Sequence, residues 1–187
     1  MSEQDNGIVR RLAFKEVNDG DLLKFVAKSA TSGTGGGARD LRFRPFKKFD
    51  GVFGRILTGR ESPMRRRNGV MTPVPIYTSR VTVLGGQGGN STRDLVFEPP
   101  TTARAGEGRL TRVSSLGLEP PIGGGRLFFL LFQTGADTPF IAFATAQQID
   151  AKDWHPSVND FLAEALSKVN KSAKGYIDFE VPGSYYG

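Results

Sequence analysis

The sequence predicts a mainly β fold, a barrel or sandwich with one clear helix in its C-terminal half and minor helical segments. Three observations predict it. Apolar and polar residues alternate with period two along most of the chain, the mark of strands buried on one face. The 24 Gly and 11 Pro among 187 residues interrupt these runs at short intervals, as many short strands joined by turns require. Only one stretch spaces its apolar residues as a helix does. A chain of 187 residues and 20.3 kDa suits a single domain spanning 1–187, with 1–20 and 182–187 peripheral to it. Its 14 Phe and 38% hydrophobic content supply a core.

The elements follow in order. Leu23, Phe25 and Ala27 alternate with Lys24 and Lys28, so residues 22–29 read as a strand, or as a short helix capped by Asp21. After the glycine-rich stretch 32–38, Leu41 and Phe43 point one way and Asp40, Arg42 and Arg44 the other, giving a strand with an arginine face. Residues 45–75 hold four prolines around Lys47, Lys48 and Arg65-Arg66-Arg67, and read as a short helix or strand at 52–57 followed by a long basic loop. Residues 76–84 form a strand with Val81 and Val83 inward, and 94–98 another, ended by Pro99-Pro100. Residues 126–133 and 140–146 pair as a hairpin at the apolar centre of the sequence. Val158, Phe161, Leu162, Ala165, Leu166 and Val169 make an apolar stripe at i, i+3, i+4, i+7, i+8 and i+11, with Pro156 suited to the first turn. Residues 176–181 close the chain as a final alternating strand.

Composition excludes several chemistries. With no Cys there are no disulfides, thiolate nucleophiles, zinc ribbons or iron–sulfur clusters. A single His, His155, rules out sites that need two imidazoles, and its place beside Trp154 and Pro156 marks a capping or packing residue. No cofactor is expected: Gly33-Thr34-Gly35-Gly36-Gly37-Ala38 matches a dinucleotide fingerprint, but an arginine-bearing strand follows where that motif needs a helix. The chain start lacks the apolar stretch of a signal peptide, and the longest apolar run, 127–132, is strand-sized. A cytoplasmic protein with no membrane segment is the expectation.

The charge is more telling in its layout than in its sum of +6. Residues 1–112 carry 20 Lys/Arg against 11 Asp/Glu, whereas 113–187 carry 5 against 8. Fifteen of the 16 Arg precede residue 113. Arginine is the choice where a planar fork of donors must meet phosphates or guanine edges, so segregated arginine points to an anionic partner, nucleic acid foremost. The competing reading is a solvated basic face. Arg39, Arg42 and Arg44 form one group and Arg104, Arg109 and Arg112 a second, each beside glycines that can serve as hinges of mobile arms. Two such arms could grip a duplex groove, with Glu107 accepting from a cytosine amino group and arginines taking guanine edges or phosphates.

At this point the residues resemble a family. LLKFVAKSATSGTGGGARDLRF (22–43) resembles the first strand and N-terminal arm of the effector-DNA-binding domain of EcoRII-type restriction endonucleases. ARAGEGRLTR (103–112) is similar to that family's second arm, where an Arg and a Glu precede an Arg-Ile-Thr-Arg sequence. The resemblance implies a DNA-binding pseudobarrel of seven or eight strands, related to the plant transcription-factor domains of the B-three type. It also implies that Thr34, Gly35, Gly36, Arg104, Glu107, Arg109 and Arg112 belong to DNA-contacting arms. The family has a His where this chain has Gly37, and uncharged residues at Arg39 and Arg42, so its base preference does not carry over. Its nuclease domain has no counterpart here.

The expectation is therefore sequence-specific binding of double-stranded DNA, as the recognition component of a restriction or defence system whose catalytic subunit is separate. Two alternatives stand beside it. Arginines and exposed Phe on a sheet could bind RNA or single strands by stacking. Asp137 with Asp150-Ala-Lys152 spells the acid and lysine spacing of magnesium-dependent restriction-type nucleases, although Asp137 falls in a hairpin turn and Asp150 after the strand.

Overall fold

A computed structural model of the chain describes residues 9–26, 40–67, 69–86, 89–121, 125–135, 138–150, 156–168, 173–181 and 183–187. The fold is a mainly β pseudobarrel, an open sheet curled into a half-barrel. The sheet follows the order β12 (Gly183–Tyr186), β11 (Lys174–Asp178), β1 (Arg11–Val17), β9 (Leu127–Gln133), β10 (Phe140–Thr145), β6 (Ile76–Gly86), β7 (Gly89–Glu98), β8 (Gly108–Thr111) and β2 (Leu41–Phe43). A short strand, β3 (Gly59–Glu61), also pairs with β6, and β4 (Met64–Arg67) with β5 (Val70–Pro73) makes a separate two-stranded ribbon. The helices are α1 (Asp19–Val26), α2 (Asp50–Ile56), α3 (Ala146–Asp150) and α4 (Pro156–Lys168). Twelve strands among the described residues exceed the expected seven or eight, mainly through short strands at edges and in the ribbon.

Two apolar clusters sit on opposite faces of the sheet. Residues from most strands, among them Leu41, Phe43, Val81, Leu95, Phe97, Leu110, Phe129, Leu131 and Ile141, fill the inside of the curl together with Phe49, Val52, Phe53 and Ile56 of the α2 segment. Phe53 stacks on Phe97 at 4.3 Å between ring centroids, and Phe43 meets Phe53 edge-on at 5.0 Å. On the outer face, Leu12, Phe14, Phe128, Leu130, Phe132, Ala142 and Ala144 pack against Phe161, Leu162 and Ala165 of α4. Phe161, Leu162, Ala165 and Leu166 of the expected stripe thus cover the sheet, and Val169 lies outside the described residues. Strand β9 reads LFFLLF because its odd residues face the inner cluster and its even residues the outer one.

Several expectations are corrected. Of the two readings of 22–29, the described residues take the helical one: 19–26 are α1, and 27–29 lie outside the described residues. The cap of α1 is Asn18 rather than Asp21, with Asn18 Oδ1 accepting from the Asp21 amide at 2.9 Å. Asp21 instead pairs with Lys15 and Lys24 at 2.5 and 2.7 Å. Residues 1–20 are not all peripheral, since β1 lies between β9 and β11 with buried residues on both faces. The last residues form β12, an edge strand on β11. Strand β11 ends at Asp178, whose carboxylate accepts from the amides of Glu180 and Val181 at 3.0 and 2.9 Å and so turns the chain. The segment at 52–57 is the helix α2, and the supposed basic loop beyond it holds β3 and the β4–β5 ribbon.

Candidate nucleic-acid interface

The outer face of the sheet divides in two. Its β1–β9–β10 half is apolar and covered by α4, whereas its β6–β7–β8–β2 half is polar. Strand register shows why. Phe97 of β7, Leu110 of β8 and Leu41 of β2 lie directly opposite one another and face inward, each fully buried. Glu98, Arg109 and Arg42, the next row along, therefore share the outward face. Period two carries Glu107 and Arg44 to that face as well.

This geometry joins the two arginine groups. The Glu107 carboxylate accepts from Arg109 Nε at 2.5 Å and from Arg44 Nε at 2.6 Å, across 63 residues of sequence. Arg44 also donates through Nη2, and Arg42 Nε stands 3.8 Å away. Arg109 reaches on to Asp40 at 3.4 Å. A second carboxylate, Glu98, pairs with Arg104 at 3.1 Å and with Arg65 of the ribbon. Three acids thus order five arginines, leaving a local excess of positive charge.

Burial separates holders from presenters. The Glu107 side chain is 2% exposed, while those of Arg42 and Arg44 are 46% and 67% exposed. Burial on its own would push the Glu107 carboxyl up; the hydrogen bonds from Arg109 and Arg44 outweigh it and hold the group below the usual carboxylate range. At Asp40 burial prevails: together with the neighbouring Glu98 charge it raises the carboxyl despite Arg109. Arg112 takes a left-handed conformation, φ 56°, that turns the chain out of β8 and leaves its side chain exposed. Arg104 is largely covered, and its Nη1 and the Thr101 hydroxyl have no hydrogen-bond partner among the described residues.

Of the sequence-predicted residues, Arg42, Arg44, Arg104, Glu107 and Arg109 come together, and Arg112 follows directly on β8. Thr34, Gly35, Gly36 and Arg39 lie outside the described residues. The Glu107 carboxylate, expected to face a base, is buried and engaged by Arg109 and Arg44. Sequence reasoning missed Asp40, Glu98 and Arg65 as members of this network. Alternation puts Glu98 on the polar face of β7, but its arginines are fixed only by contacts between distant segments.

For the nuclease alternative, Asp150 is the last residue of α3, and Asp137 and Lys152 lie outside the described residues. Among the described residues no group of three or more His, Asp or Glu side chains could hold a metal ion. None of the described helices is long and apolar enough to cross a membrane. Comparison with known proteins finds no family model and no curated protein that matches the chain.

Proposed function

We propose that this chain binds double-stranded DNA in a sequence-dependent manner through the arginine-bearing half of its outer sheet face. The observation that carries the reading is the convergence of the two arginine groups around buried Glu107 and Glu98. An arginine held on one side by a carboxylate keeps free donors on the other, and its fork is fixed in direction before any partner arrives. Arg42 and Arg44 are the exposed members, suited to phosphates or guanine edges. The likeness of 22–43 and 103–112 to the arms of EcoRII-type effector-DNA-binding domains supports the same partner. In a restriction or defence system the chain would act as the recognition component, with cleavage by a separate subunit.

Duplex is favoured over RNA or single strands by the placement of the aromatic rings. Phe43 and Phe97, the aromatics of β2 and β7, are buried inside the curl, and Tyr77 of β6 packs on Phe97 and carries Arg60 on its ring. Among the described residues this face offers no exposed aromatic platform on which bases could stack.

Affinity for a duplex pool measured against salt tests the reading. With about six phosphates neutralised, log K against log salt has a slope near −5. A slope of zero, or preference for single-stranded competitors, rejects duplex binding. Selection from a random duplex library then gives the recognised site.

A further inference from the structure

The β4–β5 ribbon stands outside both cores. Its base is closed by the Val74 amide donating to the Pro63 carbonyl at 3.0 Å, with Val74 buried beneath it, and Arg65 ties one edge to Glu98. Beyond these ties it is open to solvent. All of β5 is exposed, and Met64, Val70 and Met71 are three of the six exposed large hydrophobic residues among those described. Residues 62–75 contain three arginines and no acid. Register puts Arg66 opposite Met71 and Met64 opposite Pro73, so one ribbon face joins an exposed arginine to two exposed thioethers. Arg66 has no acidic partner among the described residues.

We propose that the β4–β5 ribbon enters the major groove of the bound duplex, with Arg66 reading a guanine edge and Met71 packing against bases beside it. The inference rests on the duplex-binding reading above. Dimensions agree: four residue pairs extend about 14 Å, and two strands about 4.8 Å apart with their side chains fit a groove about 12 Å wide and about 8.5 Å deep. Charge agrees too, because a ribbon with arginine and without acid suits a polyanion better than an apolar protein surface. Arg65 links the ribbon to the Glu98–Arg104 pair, so groove and backbone contacts would share one rigid frame.

The test uses the full chain, a duplex recovered by selection, and the variants Arg66→Ala and Met71→Glu, both at exposed positions. Fluorescence anisotropy gives affinity, dimethyl sulfate protection reports guanine N7 in the major groove, and urea midpoints check folding. The expected result is at least fivefold weaker binding for Arg66→Ala, a larger loss for Met71→Glu, unchanged midpoints, and loss of N7 protection at one or two guanines. If both variants bind within twofold of the parent chain with the same protections, the ribbon inference is overturned and duplex binding stands. The inference is also overturned by equal weakening on all sequences without N7 protection, or by preference for anionic phospholipid vesicles over duplex. Failure of the parent chain to bind any duplex rejects the underlying reading instead.

Discussion

Replacing Glu107 by Gln should loosen the fold and strengthen salt-sensitive DNA binding at once. The carboxylate is buried and receives short bonds from Arg109 and Arg44, at 2.5 and 2.6 Å. Arg44 is 67% exposed, so its share is that of a surface pair, about 0–1 kcal/mol. Arg109 is 16% exposed, and its charge-assisted bond to a buried acceptor is worth about 1.5–3 kcal/mol. Gln keeps an oxygen but turns an NH2 group toward arginine donors, so the loss should total about 2–4 kcal/mol. That moves the urea midpoint down by about 1–2 M, read by circular dichroism. Loss of the Glu107 charge leaves the positive charge of Arg42, Arg44 and Arg109 less neutralised at this face. At a temperature where the variant is folded, the salt slope for duplex binding should steepen by about 0.9 for each arginine that gains a phosphate. The opposite pattern would refute this reasoning: an unchanged midpoint with discrimination lost at one base pair would make Glu107 a base reader.

Other outcomes can be checked in the same way. Asp178→Ala removes a fully buried carboxylate shared by Arg11 and Arg55 and by two backbone amides, and should cost about 3–5 kcal/mol in urea unfolding. Asp178→Asn, which keeps an acceptor for the amides, should cost less. Gly175→Ala drives a methyl into the Tyr185 carbonyl and to 2.8 Å from Phe14 Cε1, and should cost about 1–3 kcal/mol or more, read as a fall in the thermal midpoint. Glu16, Asp21, Glu107 and Asp178 are all held below their ordinary carboxylate values, by Arg126 foremost at Glu16 and by bonds that outweigh burial at the others. Their stabilisation is complete above about pH 5 and is lost as pH falls through the depressed values, so acid titration of the urea midpoint should decline below about pH 5. Asp40, raised by burial, works the other way, costing stability as pH rises through its folded-state value.

Where one face meets solvent and the other a core, the strand pattern is readable: β2, the 94–98 end of β7 and much of β6 alternate, and the described part of α4 carries its stripe. Strand β1 was not readable, because Leu12 and Phe14 enter one apolar cluster while Ala13 and Val17 enter the other, and double burial blurs alternation. The alternation of Leu23, Phe25 and Ala27 with Lys24 and Lys28 suits a strand as well as a short helix, and at 19–26 Asn18 and the Asp21–Lys24 pair decide for helix. The ribbon carries a local sign in its sequence: Asn-Gly at 68–69, between the paired Arg67 and Val70, is the dipeptide a two-residue hairpin turn prefers, and Gly69 has φ 84°. The arginine groups could be found from composition and spacing. Their meeting at Glu107 depends on β2 pairing with β8 in one register, which no local pattern encodes.

The position of β1 also sets the order in which the molecule can be assembled. Its partners stand 122 and 167 residues away, as the bonds from Arg11 to Gln133 and Asp178 show. At about 5–20 residues per second, a ribosome would need roughly 6–25 s after making this strand to deliver β9. Until then Leu12 and Phe14 have neither sheet neighbours nor α4 to cover them. Such distant closure predicts slow folding and a nascent chain that depends on holdase protection, with the N-terminal strand as the segment most exposed to wrong pairing.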